Sequence, residues 1–309
     1  MQKMVDEIVY SRYGIHAHRI TKLGGGFYGR VFLAELDAVP HRIVIKIYLF
    51  PNLAQREADQ LRTLSGHGIS HMPKVYFVQD ADEMVPHGAI AMEYIPGINA
   101  GSAGLVLKEK DRLHIANEIV DNLISYHQTL HPEGFGELEA SHFAPDWQSC
   151  YRPKALTILG KAEHAFDEGN LDCEVLCTMT RACKAFSEIF HLPIPHARLI
   201  HGDYNTWNVL LNDDLSTVKA VIDPFNCCWA DSEMDLYQLR NANGDDYQLM
   251  DLYQSKLKLS DNCQIKTCFY ELFTELMHYR DANIDISKSG IPAQAKRLAA
   301  AMDCYGIGG

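Results

Sequence analysis

His201-Gly202-Asp203-Tyr204-Asn205-Thr206-Trp207-Asn208-Val209-Leu210-Leu211, followed by Val221-Ile222-Asp223-Pro224, is the stretch from which the rest of this chain is read. Asp203 precedes Asn208 by five residues, and Asp223 follows Asn208 by fifteen. The apolar residues after Asn208 predict a strand over 208–212. A turn through Asp213-Asp214-Leu215-Ser216 leads to a second strand over 218–222, which Asp223 terminates. Such a hairpin sets Asn208 and Asp223 at one end. An amide oxygen and a carboxylate are donors that suit a hard cation. A short strand over 198–201 leads into Asp203, whose carboxylate could accept a hydroxyl proton. Asp and Asn are also common turn residues, so these positions alone leave a plain turn open.

Working upstream, Leu23-Gly24-Gly25-Gly26-Phe27-Tyr28-Gly29-Arg30-Val31 places Gly24, Gly26 and Gly29 between predicted strands at 17–23 and 30–36. A dinucleotide fingerprint would run from strand into helix. Strands on both sides fit a glycine-rich hairpin over phosphates, or an ordinary hairpin turn. Its glycines would let the backbone approach a ligand and would permit positive φ. The next strand, 42–48, carries Ile43-Val44-Ile45-Lys46-Ile47-Tyr48. A buried ammonium needs an anion. A nucleotide phosphate and Glu57, on a helix expected at 52–65, are the two on offer; the alternative is an edge lysine facing water. Strands near 74–79 and 88–94 follow. The second runs into Pro96-Gly97, which marks a hinge, with backbone near Glu93 to Ile95 available to an adenine edge.

Beyond the hinge the apolar period becomes helical. Leu113, Ala116, Val120, Leu123, Ile124 and His127 share one face of a helix at 111–130, with His127 read as a packing residue. Further helices are expected at 147–168, 171–190, 233–241, 246–258, 264–280 and 291–304, and a short amphipathic one at 3–13. A chain of 309 residues, 47% hydrophobic, supports two lobes. These are drawn at 1–95, a nucleotide-binding lobe, and 96–309, a catalytic and substrate-binding helical lobe.

A net charge of -12 disfavours nucleic acid as a partner and suits a cationic small-molecule substrate, although acidity also simply aids solubility. Nine cysteines without a disulfide-like framework fit free thiols in a reducing cytoplasm. No run of about 18 apolar residues predicts a membrane span.

With Lys46, Glu57 and the glycine hairpin arriving in order before them, His201-Gly202-Asp203, Asn208, Ile222-Asp223 and Asp231-Ser232-Glu233-Met234-Asp235-Leu236 resemble the aminoglycoside phosphotransferase superfamily. The resemblance covers nearly the whole chain. It implies an α+β, two-lobe protein-kinase-like fold, with a small antiparallel-sheet N-lobe and a larger, mainly helical C-lobe. It also implies ATP-dependent phosphorylation of a small-molecule hydroxyl with Mg2+. Asp203 would be the catalytic base, Asn208 a catalytic-loop residue and metal ligand, and Asp223 the second metal ligand. Asp235 would brace the catalytic-loop backbone. Asp223-Pro224 with the following Ser-Glu-x-Asp-Leu run is similar to the fructosamine kinase branch. Tyr204 to Trp207 and Pro224 depart from the common filler. A nucleotide-binding sensor or scaffold without catalysis is the alternative. The absence of D-F-G and A-P-E motifs disfavours a protein kinase.

Overall fold

The computed structural model describes residues 1–282, 284 and 289–307. Residues 308 and 309, the end of the expected C-terminal lobe, lie outside them. The chain forms two compact units, Met1–Ser125 with Asn205–Asn226, and Tyr126–Tyr204 with Cys227–Gly309. The hinge expected near 95 falls inside the first unit.

In the first unit, α1 (Gln2–Tyr13) is followed by β1 (Arg19–Gly25), β2 (Gly29–Glu35), β3 (Arg42–Tyr48), α2 (Leu53–Ser65), β4 (Val75–Gln79) and β5 (Ala89–Glu93). The strands form an antiparallel sheet in the order β1-β2-β3-β5-β4. β3 is central and buried along six successive residues, which explains its unbroken apolar run. The two-residue period of a strand then divides its side chains. Ile43, Ile45 and Ile47 join a core with Val5, Ile8 and Val9 of α1. Val44 and Lys46 line a cavity instead. α2 buries Ala54, Glu57, Ala58, Leu61 and Leu64, a helical stripe interrupted by one acid. After β6 (Ile98–Asn99), α3 (Glu109–Gln128) stands where a helix is expected at 111–130, ending two residues sooner. The hairpin read from the opening stretch is present as β10 (Val209–Leu211) and β11 (Val218–Val221), in a sheet ordered β11-β10-β6.

The second unit is mainly helical. Short strands β7 (Leu130–His131), β8 (Gly136–Glu137), β9 (Ala197–Leu199) and β12 (Cys228–Ala230) form an antiparallel sheet ordered β7-β9-β12-β8. Helices α4 (Trp147–Asp167), α5 (Cys173–Lys184), α6 (Phe186–Ile189), α7 (Leu249–Lys256), α8 (Cys263–Asp281) and α9 (Ile291–Cys304) supply the bulk. Their core holds Trp147, Tyr151, Phe186, Phe190, Phe269, Tyr270 and Phe273. Asp146 caps α4 by accepting the Ser149 N–H at 2.8 Å.

Three helices differ from expectation. The one expected at 171–190 breaks at Ala185, and the turn delivers Phe186 and Phe190 into one aromatic contact with ring centroids 4.5 Å apart. The one at 233–241 is a 3-10 helix, Ser232–Arg240, buried throughout Glu233 to Leu239, so surrounding contacts outweigh local propensity. The one at 246–258 divides at Gln248, which takes a left-handed φ of 54° between a 3-10 turn and α7. Antiparallel sheet in the N-terminal region and helices in the C-terminal region make the fold α+β and protein-kinase-like.

Candidate active site

Lys46 anchors the site in the first unit. It is 7% exposed, and its Nζ donates to Glu57 Oε2 at 2.7 Å and to Asp223 Oδ1. Tyr48, on the same face of β3, donates its hydroxyl to the same Glu57 oxygen at 2.7 Å. Burial alone would depress the ammonium, but the carboxylates of Asp223 and Glu57 outweigh it and raise the Lys46 pKa. Burial raises the Glu57 carboxyl, with Lys46 opposing the shift. Lys46 is therefore a charged, fully engaged ammonium, and the solvent-facing edge-lysine alternative does not hold.

The cavity beside it measures about 400 Å³ and is lined by Gly24, Val44, Lys46, Glu57, Met92, Glu93, Tyr94, Ile95, Ile222 and Asp223. Each predicted glycine has a different environment. Gly24 lines the cavity. At Gly29 an added Cβ would lie 3.1 Å from Ile47 O and 3.3 Å from Lys46 side-chain carbons, so a side chain would press on the lysine. At Gly26 it would meet nothing within 4 Å. None of the three uses the positive φ that glycine permits. The hairpin is held by Arg30 instead, whose guanidinium donates to Gly26 O at 2.7 Å and Gly29 O at 2.9 Å. At the hinge, Glu93 is occupied by structure: its carboxylate meets His71 Nε2 at 2.8 Å and accepts the Lys74 N–H at 3.2 Å. The main-chain N–H and C=O of Ile95 make no hydrogen bond among the described residues.

Asn208 and Asp223 lie at the same end of the β10–β11 hairpin. Val209 pairs with Val221, and Ile222 N–H donates to Asn208 O at 2.9 Å. Asn208 is buried, whereas the Asp223 side chain is half exposed. Asp223 holds a left-handed φ of 56°, uncommon for a residue with a side chain and typical of positions retained under strain. One carboxylate and one amide oxygen fit magnesium, which commonly takes one or two protein oxygens and completes its shell with phosphate and water. No group of three or more His, Cys, Asp or Glu among the described residues could hold a metal.

Asp203 belongs to the second unit, and four residues of chain separate it from Asn208. Its loop is braced as expected for Asp235. The Asp235 carboxylate accepts the N–H of His201 at 2.8 Å and of Gly202 at 2.7 Å. Gly202 takes a φ of 81°, a conformation that a Cβ would strain. Tyr204 is buried against His201 and Tyr126. His127 lies within reach of Asp235 Oδ2 at 3.3 Å, and its other ring nitrogen is 2.7 Å from Tyr253 Oη. The packing histidine of the helical pattern is thus also part of the brace. A 3.6-residue period marks it as inward-facing but names no partner 108 residues away.

Nothing in the sequence pattern connects Tyr237 with Glu275. The Tyr237 phenol is raised by burial, then by Glu275 and Asp203. Burial, reinforced by Glu271, pushes the Glu275 carboxyl up to about 7. Between pH 4.5 and 7 the folded chain then holds a proton that the unfolded chain has lost, so stability falls as pH rises. Urea midpoints across this window are expected to show a decline of up to about 3 kcal/mol that Glu275→Gln removes. An identical decline in the variant would reject the assignment.

A model of the phosphotransferase enzyme family, APH, matches residues 19–254. The chain belongs to this family. Among curated proteins, the APH chain is 20% identical over 270 residues to the uncharacterized protein YcbJ of Escherichia coli (strain K12), covering 84% of this chain and 88% of YcbJ. Among solved structures, it is similar to a Haemophilus somnus 129PT protein provisionally described as a fructosamine-3-kinase. That match has TM-score 0.71 and 16% identity, and covers 98% of each chain. It is likewise similar to a thermostable mutant of aminoglycoside phosphotransferase APH(4)-Ia, with TM-score 0.69, 15% identity and 97% and 98% coverage. The GDP complex of aminoglycoside 2'-phosphotransferase-IIIa follows at TM-score 0.66, 15% identity and 98% and 99% coverage. No helix among the described residues is long and apolar enough to cross a membrane.

Proposed function

We propose that this APH-family phosphotransferase is an ATP-dependent small-molecule kinase that moves the γ-phosphate to a substrate hydroxyl. The observation that carries the reading is Lys46: a buried ammonium, held by Glu57 and Asp223, facing a cavity bounded by the glycine hairpin and the hinge. Lys46 binds nucleotide phosphate, Gly24, Gly26 and Gly29 form the loop over it, and the free backbone of Ile95 meets the base, with Glu93 fixing the strand end. Asn208 and Asp223 hold Mg2+, which offsets phosphate charge. Asp203 orients the acceptor hydroxyl and takes its proton as the bond to phosphorus forms.

The lobe division at 95 and 96 belongs to the same proposal. So does an amino-bearing acceptor such as an aminoglycoside or ketoamine, supported by the net charge of -12 and by the neighbours' descriptions. Cys173, Cys177 and Cys304 are exposed free thiols, which supports a reducing cytoplasmic setting.

Aminoglycosides, ketoamines, choline and sugar alcohols screened by coupled ADP release test the reaction. Turnover on one class identifies the acceptor. Tight ATP binding with no turnover on any would favour the sensor reading. Lys46→Met leaves Glu57 and Asp223 without their shared cation, so nucleotide affinity is expected to fall at least about tenfold by titration calorimetry. Unchanged affinity would remove Lys46 from the phosphate site.

A further inference from the structure

Phe225 lies two residues beyond Asp223. Its ring stacks on Tyr28, at the tip of the glycine-rich hairpin, with centroids 4.5 Å apart and planes 19° apart. The Arg56 guanidinium lies 5.5 Å from the centroid of the same ring and donates to Asn226 Oδ1 at 2.9 Å. Arg56 immediately precedes Glu57, the partner of Lys46. With its amide oriented to satisfy both ends, Gln60 donates to Pro224 O at 3.1 Å and accepts from Arg56 Nε at 3.2 Å. Tyr28 is seated in turn: its carbonyl accepts the Leu49 N–H at 2.9 Å, and its ring meets Phe50 edge-on at 5.9 Å.

The segment needs such support. Asp223 and Asn226 hold left-handed φ of 56° and 59°, and neither is glycine. Asp and Asn tolerate this conformation better than other side chains do, and contacts from outside hold the segment in place. Those contacts come from the tip of the glycine-rich hairpin and from α2, the helix whose Glu57 pairs with Lys46. All of these residues lie in the first unit.

We propose that the Tyr28–Phe225 stack, backed by Arg56, is a latch that couples the glycine-rich loop to Asp223, so that nucleotide under the loop and the cation at Asp223 are taken together. Tyr28, Phe225 and Arg56 are positioning residues, and the inference rests on the proposed function. Binding linkage makes the coupling reciprocal: a cation that favours the latched aspartate tightens the nucleotide, and the nucleotide tightens the cation.

The test is titration calorimetry of ADP with and without magnesium on the full chain. In wild type, magnesium strengthens ADP binding. In Tyr28→Ala and in Phe225→Ala that gain is expected to shrink about tenfold, the scale of one aromatic stack, while magnesium-free ADP affinity changes less than about twofold. Tyr28→Phe, which keeps the ring, restores the gain, and Tyr28→Leu does not. The double variant is no worse than either single one, because both remove the same contact. Phe225→Leu, with a melting curve beside it, serves if Phe225→Ala fails to fold. The latch is overturned if the variants keep the wild-type magnesium gain, if both affinities fall together, or if Tyr28→Leu rescues. Wild type that binds no nucleotide would overturn the proposed function and the latch with it. Wild type with a magnesium gain that the variants share would overturn the latch alone.

Discussion

Asp203→Asn is expected to lower phosphoryl transfer by about 10²–10⁴-fold while leaving ATP affinity within about twofold. Asparagine keeps the shape of the side chain and loses the ability to take a proton. The cavity-lining residues Gly24, Lys46, Glu57, Ile95 and Asp223 are untouched by the change, so the nucleotide term is preserved. The backbone of the loop is also preserved, because Asp235 holds the N–H groups of His201 and Gly202 just before it. Steady-state kinetics on the acceptor found by the ADP-release screen, with ATP titrated separately, divides the two effects. A variant that turns over at the wild-type rate would remove Asp203 as the base. A variant that loses ATP binding would show that the residue supports the nucleotide instead.

The largest expected loss of stability comes from Asp235→Ala. The side chain is fully buried and satisfies two backbone donors, one on each oxygen, with His127 against the oxygen that accepts the His201 N–H. Removing it strands those donors away from water and leaves Gly202, at a φ of 81°, without its restraint. A cost of about 3–5 kcal/mol follows from breaking a buried charged network on one side. Asp235→Asn retains one acceptor oxygen and is expected to fall between the variant and wild type. Urea unfolding measures both. A loss below about 1 kcal/mol for the alanine variant would mean that water or a shifted loop replaces the brace. Activity loss without stability loss would instead give Asp235 a direct part in the reaction.

The individual elements were legible because they rest on local periods, and the fold class through the resemblance that the motifs carry. The stripe of α2, the hairpin strands on either side of the glycines and the helical face containing His127 each express one element's own geometry. Errors arose where tertiary contacts decided the shape. The break at Ala185 lets two phenylalanines reach one core, and the 3-10 helix Ser232–Arg240 is buried from Glu233 to Leu239. The support of the glycine hairpin was not legible either: Arg30 holds it through the carbonyls of Gly26 and Gly29, and Gly24, Gly26 and Gly29 do not use the positive φ open to them. Pro224 was legible as a departure from the common filler. That Phe225, the residue after it, is aromatic mattered only once Tyr28 was beside it.

By itself, the sequence determined which residues could carry charge and metal chemistry, and which of them share a strand end. Asn208 and Asp223 meet at one end of a hairpin because strand period and turn length are local quantities. Lys46 faces away from α1 because strand side chains alternate. Only the tertiary structure decided that Lys46 takes both Glu57 and Asp223, the second 177 residues away, that His127 joins Asp235 in bracing the loop before Asp203, and that Phe225 closes on the glycine hairpin. Such pairings follow from desolvation and packing among distant segments. A buried ammonium or carboxylate must find partners wherever the fold brings them, and spacing along the chain does not say where that is.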